Sequence, residues 1–198
     1  MSFRTLEMKL ANGGIISKNE ASFQLELGYI LKVFGQLYEF HPNEKFNLEM
    51  ENYVKLKTNS IKSKSKNARV DILMNFGTED EFATGAIELK FFKKKNHREP
   101  NNRYDIFKDI SNLEQYKENG IDLNYLFLST DHSHYVNQSN YSADTKDFDI
   151  RKGSKYTSGQ VLEYRTVKPY GPPIILKGNY EFDWSEPTDN IYFTKIEI

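Results

Sequence analysis

Two apolar runs on either side of one polar turn constrain this chain more than any other feature. ARVDILMNF (68–76) and GAIELKFF (85–92) flank GTEDE (77–81). Each has the length and residue types of a strand, and the first is apolar enough to be buried on both faces. Both carry charge where a core strand should carry none: Asp71 in the first, Glu88 and Lys90 in the second. Side chains alternate along a strand, so Glu88 and Lys90 share one face roughly 7 Å apart, with Ile87, Leu89 and Phe91 on the other. If the runs pair through the turn, Asp71 lies beside Glu88. Two carboxylates that close repel unless a cation sits between them. Their oxygens suit a hard ion such as Mg²⁺ or Mn²⁺, beside which Lys90 can hold a water and stabilise developing negative charge.

The flanking sequence predicts a mixed sheet between helices. After a loose start, residues 17–40 read as a long helix: Ser17 and Glu20 have capping-box spacing, Phe23, Leu27, Ile30, Leu31, Phe34 and Tyr38 form one apolar face, and Pro42 marks the end. Glu20 falls about 40° from the centre of that face, so among the acids of this helix it is the one that points inward. Residues 46–56 read as a strand exposed on one side, and the lysine-rich 57–67 as a loop or mobile hairpin tip. Residues 103–119 read as a second amphipathic helix ended by Gly120, and 123–130 as a buried strand. Residues 131–160 give no clear pattern. Strand signals return in 160–167, 173–178 and 190–198, with Trp184 packing that region.

The chain has 198 residues without repeat or linker, which suits one domain spanning 1–198. It contains no cysteine, so disulfides, thiolate metal sites and cysteine nucleophiles are excluded, and the absence fits a cytoplasmic protein. No signal peptide or membrane-length apolar run is seen, so a soluble protein without membrane partners is expected. The net charge is −1, but its distribution is segregated: residues 55–69 hold six basic residues and no acid, and residues 90–98 hold five and no acid.

Glu20, Asp71 in RVDIL and Glu88-Leu89-Lys90 in AIELK together resemble the PD-(D/E)XK nuclease superfamily, which includes many restriction endonucleases. The resemblance covers roughly residues 17–130. It implies an αβββαβ core within an α/β (α+β) fold, a mixed central sheet flanked by helices, and leaves 131–198 as a β-rich extension for specificity or dimerisation. Val70 stands where the family's motif writes proline. The resemblance implies a restriction-endonuclease-like enzyme that hydrolyses DNA phosphodiester bonds with Mg²⁺, for which Mn²⁺ can substitute, and leaves a 5′-phosphate. Asp71, Glu88 and the Leu89 carbonyl would hold the metal, Lys90 would assist the attacking water, and Glu20 would be an accessory acid. SNLEQY (111–116) resembles a second-helix segment in which glutamine or tyrosine approaches the site; Tyr104 and Tyr116 are the tyrosines able to reach a groove.

Beside such a site the basic segments suit phosphate backbones: Lys57, Lys62, Lys64 and Lys66 in one, Lys93, Lys94, Lys95 and Arg98 in the other. Cutting both strands usually takes two active sites, which suits a homodimer. No organic cofactor is expected, since no phosphate-binding loop, HExxH or GxSxG pattern occurs. Residues 144–158 do not make an EF-hand, and His132 and His134 read as surface residues. Two other readings remain: a non-catalytic nucleic-acid-binding or interaction module on the same fold, and a nuclease for RNA or for branched or single-stranded DNA.

Overall fold

The computed structural model describes residues 1–15, 19–188 and 191–198, without the side chains of 187 and 188. Its elements begin with α1 (Ser2–Ala11), α2 (Glu20–Leu37) and the strands β1 (Lys45–Lys55), β2 (Asn67–Gly77) and β3 (Phe82–Phe92). The helix α3 (Glu99–Glu118), β4 (Leu123–Thr130) and the short α4 (His134–Asn137) follow. The last third adds β5 (Lys155–Tyr156), β6 (Val161–Leu162), β7 (Ile174–Ile175), β8 (Tyr180–Glu181), β9 (Ser185–Thr188) and β10 (Ile191–Glu197). Six strands form one sheet in the order β1-β2-β3-β4-β10-β9. Among the described residues only β3 and β4 pair in parallel, the crossover between them being α3. This is the mixed sheet flanked by helices that the sequence predicts.

Alternation on β3 sorts the layers. Ile87, Leu89 and Phe91 join Phe23, Leu27 and Ile30 of α2 in one apolar cluster, together with Leu6 of α1. Val70, Ala86 and Phe92 face the other way, against Ile106, Ile110 and Leu113 of α3. Each such side chain removed from water is worth roughly 1.5–3 kcal/mol when large. Close approach of α2 to β1 depends on Gly28 and Gly35, whose missing Cβ atoms leave the space taken by Met50 and Phe46.

Several elements differ from expectation. The N-terminal start is a helix, α1, with Leu6 fully buried and Phe3 packed on Tyr125 and Phe127. The cap proposed at Ser17 lies outside the described residues. The observed cap is Asn19, whose side chain accepts from Ser22 N while Ser22 Oγ accepts from Asn19 N. The helix also stops at Leu37, well before Pro42. Residues 57–67 are the expected loop, and it is closed as a hydrogen-bonded turn. Buried Ser60 donates from Oγ to Asn112 Oδ1 on α3 (2.7 Å) and accepts from the backbone N–H groups of Lys62 and Ser63.

In the last third, the run 160–167 yields only the two residues of β6, whereas β10 extends the main sheet beside β4. Trp184 is buried there and donates to Ile150 O. Among the described residues, no helix is long and apolar enough to cross a membrane.

Candidate active site

The site lies where β2 and β3 part. Their ladder runs from Gly77↔Phe82 to Ile72↔Ile87 and stops. One step further, Asp71 turns its side chain into the gap, and its Oδ2 accepts from Leu89 N at 2.6 Å. A carboxylate thus replaces the backbone acceptor that continued pairing would have supplied. Gln24 of α2 secures the Asp71 carbonyl from the other side of the sheet. The parting opens a cleft of about 180 Å³ lined by Glu20, Lys62, Ala68, Arg69, Asp71, Lys90 and Asn112, among others.

Lys90 reaches across this gap. Its Nζ donates to Leu89 O (2.7 Å) and lies 3.1 Å from Asp109 Oδ2, 3.6 Å from Glu20 Oε1 and 4.0 Å from Asp71 Oδ2. Glu20, released from capping by Asn19 and Ser22, is the first residue of α2 and half exposed at the mouth. Glu88 has no exposure: Oε2 accepts from Lys62 Nζ at 2.8 Å and Oε1 from the Tyr116 hydroxyl at 3.1 Å. The same Lys62 Nζ is 2.8 Å from Asp109 Oδ1. Two ammoniums therefore stand among four carboxylates, with Asp109 touching both.

The acids respond to that imbalance. Burial raises the carboxyls of Glu20 and Asp71 above their ordinary values despite Lys90. Glu88 is pushed up to about 8 by burial, with Asp109 adding to the rise and Lys62 opposing it. Burial would raise Asp109 too, but Lys90 and Lys62 together hold it below the usual range. Burial disfavours the charge on either lysine, yet the acids win: Asp109 and Glu88 raise Lys62, and Asp109, Glu20 and Asp71 raise Lys90. Tyr116 is raised by burial and by Glu88, which keeps it a neutral donor.

The fit to a divalent metal divides between chemistry and placement. Hard oxygen donors with an excess of negative charge suit such an ion, and Asp71 and Glu20 open onto the cleft. Glu88 does not line it, being tied beneath by Lys62 and Tyr116, and the Leu89 carbonyl accepts from Lys90. Accordingly no three acids converge as a ligand group among the described residues.

The basic segments separate. Lys62 is part of the acid cluster, because the turn pinned by Ser60 carries it inward; the expectation of a free phosphate-gripping lysine is corrected here. Lys57 donates to Glu118 O at the end of α3. Lys64 and Lys66 are exposed. On the far side of Lys90, a larger cleft of about 590 Å³ is lined by Lys93, Lys95 and Arg98 together with Glu20 and Lys90. Lys94 is exposed, and its backbone N–H binds Asp131.

Tyr116 does reach the site, whereas Tyr104 packs on Phe148 and donates to Pro172 O. His132 is partly buried against Glu99, with Nε2 at 3.1 Å from the carboxylate, and His134 stacks beside it. Asp109 escaped the sequence reading, though a signal existed: it lies three residues after Ile106 and one before Ile110, on the face that packs inward. No protein-family model matches the chain, nor does any curated protein or solved structure.

Proposed function

We propose that this protein is a metal-dependent endonuclease hydrolysing DNA phosphodiester bonds. The observation that carries the reading is the convergence of Asp71, Lys90 and Glu20 on one cleft, with Glu88 and Asp109 directly beneath. Asp71 and Glu20 would hold Mg²⁺ or Mn²⁺, with Glu88 available once Lys62 moves aside. The ion would supply Lewis-acid stabilisation of the phosphate and a more acidic water. Lys90, held by Leu89 O and Asp109, points its ammonium at the cleft, where it neutralises a phosphate oxygen and orients the water. The water oxygen bonds to phosphorus as the P–O3′ bond breaks and the leaving oxygen takes up a proton, which yields a 5′-phosphate. Lys93, Lys95 and Arg98 would grip the backbone on one side of that point. A second copy of the chain would supply the site for the other strand.

One observation favours the non-catalytic module: Lys62 and Tyr116 already satisfy Glu88. Plasmid cleavage separates the two. The nuclease reading expects cutting with Mg²⁺ or Mn²⁺, none with chelator, and a loss of about 100-fold or more in Asp71→Asn and in Lys90→Ala. A folded wild type that binds DNA but never cuts plasmid, single-stranded, branched or RNA substrates would establish the module instead.

A further inference from the structure

The cleft lined by Lys93, Lys95 and Arg98 does not end at Arg98. Arg98 and Asp105, which line it there, are both bound by the Tyr170 hydroxyl: Arg98 Nη2 donates to it (3.4 Å) and it donates to Asp105 Oδ2 (3.2 Å). Tyr170 in turn lines a second hollow of about 620 Å³, with Asn101, Tyr164, Thr166, Val167 and Lys168. The acid cluster, the basic cleft and this hollow therefore follow one another along the surface, joined at Glu20 and Lys90 and then at Arg98 and Tyr170.

The loop 164–171 that forms the hollow has fixed feet and a bare tip. At one foot Tyr164 donates to Asn101 Oδ1 (3.0 Å), and Arg165 binds Asp144 O through its N–H and Asp147 through its guanidinium. At the other, Tyr104 donates to Pro172 O (2.9 Å), its ring filling the space that a side chain at Gly171 would need. Thr166 closes the tip by donating to Lys168 O. Val167 at the tip is fully exposed at 101%, and Tyr170 is 40% exposed. Val167 thus stands in water on a surface loop next to the basic cleft, the kind of segment that carries contacts to partners.

Charge states what that is. Among the described residues Lys93, Lys95, Arg98 and Lys168 form no ion pair with a carboxylate. Several other surface cations of the last third are paired, as in Lys155–Glu181, Lys177–Glu118 and Lys152–Asp183. Unpaired cations along a cleft that leads to a loop with an exposed aliphatic tip suit a polyanion with a readable groove. The cations meet phosphates, and the tip meets base edges, where an aliphatic group packs against a thymine methyl.

We propose that the loop 164–171 enters a groove of duplex DNA whose backbone runs over Lys93, Lys95 and Arg98, and that it fixes where on the duplex the site acts. The proposal rests on the nuclease reading and gives a role to the C-terminal third.

Its test is the anisotropy of a labelled mixed-sequence duplex in chelator, over a range of salt, for wild type, Val167→Asp, Lys168→Ala and a distant control, Lys9→Glu. Val167→Asp should weaken binding about tenfold or more, since it places an acid against phosphates. Lys168→Ala should lower the salt slope by about 0.9. Both should leave thermal unfolding and Mn²⁺-dependent hydrolysis of bis(p-nitrophenyl) phosphate unchanged, and Lys9→Glu should bind as wild type does. Wild-type binding matched by both loop variants overturns the loop proposal and leaves the nuclease reading standing. A wild type that neither binds duplex nor hydrolyses the small diester overturns both. Preference for single-stranded RNA over duplex overturns the assigned partner.

Discussion

Helix α3 buries carboxylates at two places five residues apart, and they are handled in opposite ways. Glu114 accepts from the backbone N–H groups of Lys177 (2.6 Å) and Gly178 (2.9 Å) and from the Tyr180 hydroxyl (2.7 Å). These are neutral donors fixed by a loop of the last third, and the charge is spent on holding that loop to the helix. Asp109 instead meets two ammoniums, which it shares with Glu88, Glu20 and Asp71. Nothing about the backbone requires that arrangement. A single anchored carboxylate stabilises a fold; four carboxylates around two ammoniums keep an excess of negative charge beside a cleft, and burying such an excess is costly. The first reads as architecture and the second as an unbalanced cluster of charge beside a cleft.

Arg103, six residues before Asp109 on the same helix, belongs with Glu114. Its guanidinium is buried, donates to the carbonyls of Thr145 and Phe148, and stacks 3.6 Å over Tyr141. With Glu114 it fastens residues 131–180 to the core.

The largest effect should come from breaking the architectural carboxylate. Glu114→Leu leaves two N–H groups and a hydroxyl short of their acceptor, and should cost about 3 kcal/mol in denaturant unfolding. The specific activity of the remaining folded protein should match wild type. Loss of activity without loss of stability would erase the distinction drawn here.

A smaller effect of opposite sign is expected at Glu88. Native Glu88, raised by burial to about 8, holds its proton more tightly than the unfolded chain does. Its contribution to stability is therefore fully present below about pH 4.5 and is lost as pH rises towards 8. Asp109, held low by the lysines, acts in the other sense and only at lower pH, its contribution fading as pH falls through the acid range. In chelator at pH 8, Glu88→Gln should gain about 2 kcal/mol relative to wild type, and at pH 4.5 almost nothing. Equal effects at both pH values would show that the cluster carries no charge surplus.

Much of this site was legible because strands alternate. Asp71, Glu88 and Lys90 break apolar strands, and Glu20 breaks an apolar helix face, so each stood out against a simple period. Asp109 broke the face of α3 in the same manner, but α3 mixes Asn, Asp, Ser and Gln into its buried side, which blurs the contrast. Lys62 was not legible: a lysine in a serine-rich loop reads as solvated unless the Ser60–Asn112 bond that turns it inward is known. The helix α1 has Phe3, Leu6 and Leu10 at helical spacing, but its start has no side-chain cap to mark it. Residues 131–184 resisted reading because their strands, β5 to β8, are two-residue bridges, and Arg103, Glu114 and Trp184 hold them together where periodicity has no part, whereas the longer β10 shows in the sequence.

The most direct test of the central claim is calorimetric titration of Mn²⁺ into the metal-free protein at pH 8, alongside Asp71→Asn and Glu114→Leu. A charge surplus built for a cation predicts saturable binding in wild type and in Glu114→Leu, with proton release as the raised carboxyls ionise, and at least tenfold weaker binding in Asp71→Asn. A folded wild type that takes up no Mn²⁺, or Asp71→Asn binding as tightly as wild type, would contradict it.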